Sequence, residues 1–461
     1  MFMITAVILA AGEGTRMNSD LPKVLHKLCG KTMIGHVLDA LKPVVEKSIV
    51  IIGHKAEEVR ATIGEEATYA YQYQQRGTGH AVNQALDSIP EEGDVLIVCG
   101  DTPLLTQDIF EELLSFHKSE GCAAVVLTAN LDNPYGYGRI IRDKTGKVTK
   151  IIEEMDASED ERKVREINTG TYCVNAQLLR KTLDLISNYN EKGEYYITDL
   201  VEILKSHQKK VSAFKIDDFF LAQGINTRVQ LSEAEAVLRK RINEKLMLEG
   251  VTMVDPASTY IDVEVKVGKD TVIMPQTIVQ GRTCIGERCV IGPQSRLVDS
   301  TLADEVTFQN SIILESIVEG EANIGPFAYI RPESRICRGA KVGDFVEIKK
   351  SQIGAGSKVP HLSYVGDTTV GQKANLGAGT IIVNYDGVTK HPTYIEDGAF
   401  VGCNSNIIAP VVIGEGAYVV AGSTIKDDVP KNALAIGRTA QVNKLKGAQR
   451  LRSILKSKKQ K

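Results

Sequence analysis

The stretch LAAGEGTRMNSDLPKVL, residues 9–25, sets two glycines and two cations directly after an apolar run. Gly12 and Gly14 let backbone N–H groups close around an anion, and Arg16 and Lys23 add positive charge. The spacing fits neither common phosphate loop. Met17 stands where the dinucleotide fingerprint has its third glycine, and no Gly-Lys-Ser/Thr follows Gly12 at P-loop distance. Two cations beside such a turn suit a nucleoside triphosphate, because they can take up charge as it moves onto a leaving pyrophosphate. A tight turn with two surface cations is the alternative. Asp101, at the end of the apolar run VLIVCGD, is an oxygen ligand of the kind Mg2+ shares with substrate phosphates. An Asx turn or helix cap ahead of Pro103 is its other reading. Gln72, Gly77 and Thr78 in QYQQRGTGHA can read a base edge or cap a helix, and NPYGYGRI, EINTGTY and GINTR are further polar turns with glycine.

Elements must place these groups together. AVILAA, SIVIIG, DVLIVCGD and AAVVLTA read as buried strands, with IGHVLDALKPV and QDIFEELLSFHK as helices between them. That alternation predicts an α/β domain with a largely parallel sheet over residues 1–227, whose ligands bind at the carboxyl ends of the strands. Residues 228–250 read as one connecting helix. Leu231, Ala234, Leu238, Ile242 and Leu246 fall on a single face, and Gly250 stops it.

From residue 251 to 461 the period changes to six. Val267, Ile273, Val279, Ile285, Ile291 and Leu297 form one run. Val318, Ile324, Ile330, Ile336, Val342 and Ile348 form a second, and Ile395, Val401, Ile407, Ile413, Val419 and Ile425 a third. This is the hexapeptide repeat of a parallel β-helix, in which no rung buries its own apolar residue and stacking makes the core. VNYDGVTKHPTY, residues 383–394, breaks the period and reads as a projecting loop. The tail from Gln441 is basic without an acid, and reads as a solvated, partly disordered end or as an arm for an anionic ligand.

The totals set bounds. The net charge of -3 gives no general reason to bind nucleic acid or an acidic membrane. Eight scattered cysteines without a CxxC fit a reduced, cytoplasmic protein. The start MFMITAVILAAG lacks a basic leader and reads as a buried strand rather than a signal peptide. No apolar run approaches membrane-span length.

LAAGEGTRM followed after four residues by PK resembles the signature of sugar-1-phosphate nucleotidyltransferases. Joined to a hexapeptide β-helix bearing KVPHLSYVGD, NLGAGTIIVNYDG and AIGR, the whole chain resembles one bacterial family. These are the bifunctional N-acetylglucosamine-1-phosphate uridyltransferase/glucosamine-1-phosphate acetyltransferases. The resemblance implies a Rossmann-like nucleotidyltransferase domain followed by a left-handed parallel β-helix, packed as a homotrimer with acetylation sites shared between neighbours. It implies UTP and acetyl-CoA as co-substrates and Mg2+ as cofactor.

By residue-wise matching, the resemblance places Leu9, Ala10, Ala11 and Gly12 on the uridine nucleotide, with Lys23 on its phosphates. Gln72, Gly77 and Thr78 would recognise uracil and ribose, Asp101 and Asn226 would hold Mg2+, and Gly138, Glu153 and Asn168 the sugar. Acetylating an amine needs a base, a task that suits histidine. The β-helix contains only His361 and His391, and His361 matches the catalytic histidine of the family. Arg331, Lys349, Tyr364, Asn375 and Lys390 would hold the phosphosugar. Ala378, Asn384, Tyr385, Cys403, Ala421 and Arg438 would contact acetyl-CoA. Cys403 stands where many relatives carry serine, and Pro360 where they often carry glycine. A one-site nucleotidyltransferase with a structural or regulatory β-helix is the competing function, and a non-catalytic subunit another. A zinc hydratase lacks the third histidine.

Overall fold

The computed structural model describes residues 3–459; Met1, Phe2, Gln460 and Lys461, the ends of the first strand reading and of the basic tail, lie outside the described residues. Two compact units divide between Arg241 and Ile242.

The first unit is built on strands β1 (Ile4–Leu9), β2 (Lys47–Ile52), β3 (Thr68–Tyr71), β4 (Asp94–Cys99), β5 (Ala124–Asn130), β6 (Arg139–Arg142), β7 (Val148–Ile152), β8 (Glu166–Asn175) and β9 (Val211–Ile216). Their order is β9-β5-β8-β4-β1-β2-β3, with β6 on β8 and β7 on β6. β1 runs parallel to β2 and β4, β2 to β3, and β5 to β9. The sheet is more mixed than the alternation of strands and helices predicts, because β8 runs antiparallel to both β4 and β5. A parallel return needs a full crossover, and the helix before β8 spans only Glu159–Arg162.

Successive residues of the central strands point to opposite faces, and both faces are covered. Ala6, Ile8, Val50, Ile52, Leu96 and Val98 pack with helices α1 (Met33–Leu41) and α3 (Gln107–Glu120). Val7, Ile49, Ile51, Val95 and Ile97 pack with α2 (Thr78–Gln84) and α4 (Asp199–Ser206). This double burial explains why the strands read as continuous apolar runs. The carboxyl ends of β1, β2 and β4 therefore share one edge, where an added Cβ at Gly100 would come 3.1 Å from the Leu9 carbonyl oxygen.

Helix α5 runs from Arg228 to Leu248. Leu231, Ala234 and Leu238 pack within the first unit, against Leu28, Met33, Leu104 and Ile225. Ile242, Leu246 and Met247 pack within the second, at one end of its core. Gly250, at φ +100°, ends the helix with its N–H on the Met247 carbonyl.

The second unit is a parallel β-helix of short strands in three sheets of eleven, ten and nine strands. All residues of the three six-spaced runs are buried except the half-buried Val267. Ile273 pairs with Ile291, three hexapeptides on, but the coils are not uniform. Asp344 pairs with His361, one residue fewer than three hexapeptides, and Thr368 with Thr393 across the projecting loop. Corner hydroxyls are satisfied between coils: Ser311 accepts from the Ala328 N–H at 3.0 Å and donates to the Gln309 carbonyl at 2.7 Å. The tail departs from the disorder expected of it, because Gly447–Lys459 forms the exposed helix α6. It contains three large aliphatic residues, Leu451, Ile454 and Leu455, among its cations. A helix aligns these aliphatic residues on one side.

The tightness of the coils generates a prediction. An added Cβ at Gly343 would overlap the Pro360 carbonyl oxygen of the next coil, and backbone on both sides cannot yield. Gly343→Ala should destabilise the β-helix by about 1–3 kcal/mol. Calorimetry of the full chain checks this; an unchanged unfolding transition would contradict the packing.

Candidate active sites

β1 delivers the chain into the loop that follows it, where the Ala10 N–H still bonds the Ile51 carbonyl at 2.9 Å. Leu9, Ala10, Ala11, Gly12, Lys23, Gln72, Gly77, Thr78 and Asp101 all line one cavity of about 300 Å³. Gln75, Cys99 and Glu194 line it too. Gly14, at φ +65°, is required twice: an added Cβ would strain the turn and strike the Lys23 stem at 2.6 Å. Gly77, at φ +103°, packs against the Tyr195 backbone, and the Thr78 hydroxyl caps the Ile197 N–H at 3.0 Å. Gln72 donates to the Gly77 carbonyl at 3.0 Å, and Gln75 to the Ala11 carbonyl at 2.7 Å.

Four expected residues meet at the cavity mouth. Lys23 is ion-paired with Asp101 and donates to Asn226 Oδ1 at 3.1 Å. Arg16, exposed, donates to the same oxygen at 2.9 Å. Asp101 and Asn226 thus turn a carboxylate and an amide oxygen onto one ammonium group. That donor set, all oxygen and already facing a cation, fits Mg2+. Among the described residues no three His, Cys, Asp or Glu side chains gather as a metal site, so phosphates and water would complete the coordination.

Gly138 just before β6, Glu153 just after β7 and Asn168 on β8 form a second group. An added Cβ at Gly138 would lie 3.5 Å from both Asn168 Cβ and Glu153 Oε1. Cys99, at the cavity wall, reaches toward the Gly170 carbonyl at 3.8 Å, so this group adjoins the cavity. Burial pushes the Glu153 carboxyl above its ordinary range despite a hydrogen bond from Thr198. Asp199 beside it is pushed up to about 6 by burial, with the charges of Glu202 and Asp156 adding to the effect.

In the β-helix, one corner carries a line of expected residues. The Leu362 N–H bonds the Asp344 carbonyl, Gly379 the His361 carbonyl, Asn404 the Ala378 carbonyl and Gly422 the Cys403 carbonyl. His361, Ala378, Cys403 and Ala421 therefore stack along one corner, and Arg438 follows beside Gly422. A second cluster gathers where the next sheet ends. Lys349 pairs with Asp367 at 2.9 Å, Asn384 donates to Asp367, and Arg331 pairs with Glu347 at 2.8 Å. The hydrogen bond and charge of the neighbouring Lys349 push the Lys390 ammonium down. Burial disfavours charge on Asp367, but the hydrogen bonds from Lys349 and Asn384 outweigh it and hold its carboxyl below the usual range. Tyr364 lies 3.5 Å from Asn384, and Tyr385 bridges to Lys390 within the projecting loop. Three cations thus face two carboxylates. Asn375 is not part of this cluster; it sits on another sheet, between Lys358 and Phe400.

Comparison with known proteins agrees with both halves. Residues 6–168 match the model of the MobA-like NTP transferase domain. Residues 264–298 and 392–427 match the bacterial transferase hexapeptide model. The chain is 53% identical to a bifunctional protein GlmU from a Geobacillus species over 97% of its own length and 98% of that protein. It is 51% identical to the Brevibacillus brevis bifunctional protein GlmU over 98% of both chains. The chain belongs to the bifunctional GlmU family. Its fold is accordingly a nucleotidyltransferase domain with a Rossmann-like sheet followed by a left-handed β-helix.

Within this GlmU-family chain, sequence reading overlooked Gln75, Glu194, Asp344 and Asp367. Gln75 carries no signal beyond two neighbouring glutamines. Asp344 and Asp367 were reachable by pairing residues one coil apart, since they lie 17 residues from His361 and 18 from Lys349.

The half-buried acids Glu153 and Asp199 generate a pH prediction. Asp199 titrates near 6 folded and near 3.8 in its ordinary state, so the native state binds the extra proton between those values. Its contribution to stability falls as pH rises through that window, and the penalty is complete above it. Asp199→Asn should raise the melting temperature by a few degrees at pH 7.5 and have little effect at pH 4. An equal effect at both pH values would show that charge is not the cause.

Proposed function

We infer that this chain makes UDP-N-acetylglucosamine by two successive transfers. It moves acetyl from acetyl-CoA to glucosamine-1-phosphate, then joins N-acetylglucosamine-1-phosphate to the uridylyl group of UTP with release of pyrophosphate. The observation that carries this reading is the occurrence, in one family member, of both a glycine-lined cationic cavity and a histidine-bearing corner.

In uridylyl transfer the sugar phosphate oxygen is already an anion, so no base is needed. It attacks the α-phosphorus, a new P–O bond forms, and the bond to pyrophosphate breaks. Gly12 and its neighbours bring backbone N–H groups to the phosphates, and Arg16 and Lys23 balance the growing charge. Gln72, Gly77 and Thr78 hold the base end, and Gly138, Glu153 and Asn168 the sugar. Asp101 and Asn226 would hold Mg2+, which when bound shields the phosphate charges.

In acetyl transfer the amine attacks the thioester carbonyl, a C–N bond forms and the C–S bond breaks. His361 removes the amine proton, and the departing thiolate of coenzyme A is reprotonated. Arg331, Lys349 and Lys390 exceed the nearby carboxylates by one charge, which suits a sugar phosphate; Tyr364 completes that pocket. Ala378, Asn384, Tyr385, Cys403, Ala421 and Arg438 form the acetyl-CoA track. Asn375, on a separate sheet, would reach the sugar pocket of a neighbouring subunit, which fits a homotrimer. Residues 1–227 and 251–461 serve as the uridyltransferase and acetyltransferase domains.

Two substitutions separate the sites. Asp101→Ala should lower uridylyl transfer at least 100-fold and spare acetylation, and His361→Ala should do the reverse. Both activities are assayed on each preparation; equal loss of both in either variant would contradict two independent sites.

A further inference from the structure

His361 sits on an exposed corner, where little holds an imidazole in place; its side chain is 52% exposed. One group does reach it. Asp344 Oδ1 lies 2.5 Å from His361 Nδ1, and the two residues are registered partners on adjacent coils. Their backbones are fixed together. Gly343 packs directly beneath the Pro360 carbonyl, the Leu362 N–H bonds the Asp344 carbonyl at 2.9 Å, and the His361 carbonyl accepts from Ser363 Oγ at 2.8 Å. Phe345 and Leu362, which follow the pair, share the left-handed conformation at φ +56° and +49°, so both coils turn the corner alike. Stacked turns of the same shape send Asp344 and His361 out side by side.

We propose that Asp344 is the positioning residue of the acetyl-transfer site, holding the His361 ring in the Nδ1–H tautomer so that Nε2 is the atom that takes the amine proton. This rests on His361 being the base. A carboxylate only accepts hydrogen bonds, so the neutral imidazole beside it must donate from Nδ1 and keep its lone pair on Nε2. The hydrogen bond from His361 holds the Asp344 carboxyl below the ordinary range, which keeps it an acceptor at neutral pH. The other charged groups on these two strands are Lys341 and Lys358, at their opposite ends. An exposed ion pair contributes little to stability, so a structural purpose is a poor account of this contact. Its consequence is geometric. Freed from Asp344, the ring can rotate and exchange tautomers, and a misplacement of about 1 Å can cost on the order of 100-fold in rate.

The test uses the full-length chain with Asp344→Ala, Asp344→Asn and His361→Ala, each checked for intact uridylyl transfer. Asp344→Ala should lower kcat for acetyl transfer about 10- to 100-fold with KM for both substrates nearly unchanged. Nitrogen-15 spectra of the histidine rings, with His361 assigned by its loss in His361→Ala, should show the Nδ1–H form in the parent and a shift toward Nε2–H in Asp344→Ala. Asp344→Asn retains an acceptor oxygen and should restore most of kcat and the Nδ1–H form. If Asp344→Ala does not fold, Asp344→Ser, whose hydroxyl is too short to reach the ring, serves instead. Wild-type kcat in Asp344→Ala, or a loss of kcat with an unchanged tautomer, overturns the proposal. Retained acetylation in His361→Ala would instead remove the base itself, so the two failures are distinct.

Discussion

Parallel pairing of chain segments is the constraint on which both sites depend. In the first unit, β1, β2 and β4 run the same way, so the loops that leave them emerge on one edge and converge. Leu9–Gly12 and Asp101 become neighbours for that reason, although about ninety residues separate them. In the second unit the same rule acts at shorter range. Each coil bonds the one before it in register, and a residue at a corner has its counterpart one coil away at nearly the same position. A line of groups such as Asp344, His361, Ala378 and Cys403 needs no further device to assemble.

The two units use this rule under different packing regimes. The sheet of the first unit is buried on both faces, so its strands can be uniformly apolar and its polar chemistry is confined to strand ends. In the β-helix only one face of each strand is buried, and the outer face is free to carry Arg331, Glu347, Lys349 and Tyr364. A stack of parallel strands also leaves an open edge at each end. Ile242, Leu246 and Met247 of α5 cover the first, which removes an exposed apolar core end.

These differences explain what could be read from the residues. The six-residue period announced the β-helix because inward positions recur at that spacing over three long runs, although some coils are a residue or two shorter and one carries the projecting loop. Strands β1, β2, β4 and β5 were legible as apolar runs, but β8 was not: EINTGTY reads as a polar turn, whereas it lies within the strand Glu166–Asn175, whose first half is buried only at alternate residues. The loop at 383–394 stood out as an interruption, and it holds Asn384, Tyr385 and Lys390 as a group. Asp344 was missed for a plainer reason. The coil between it and His361 is one residue short of three hexapeptides, so a strict count of eighteen passes over it. The helix of the tail was missed because its charge dominates the composition while its three aliphatic residues fall together only once it is wound.

Parallel pairing in each unit predicts two independent ligand sites. Hydrogen exchange of the chain with UTP and with acetyl-CoA, each added alone, distinguishes them. UTP should slow exchange in residues 10–17 and 72–79, and acetyl-CoA should slow it along the corner containing Gly379, Asn404 and Gly422. Protection of both sets by a single ligand, or of neither set by its own ligand, would show that the two sites are not independent.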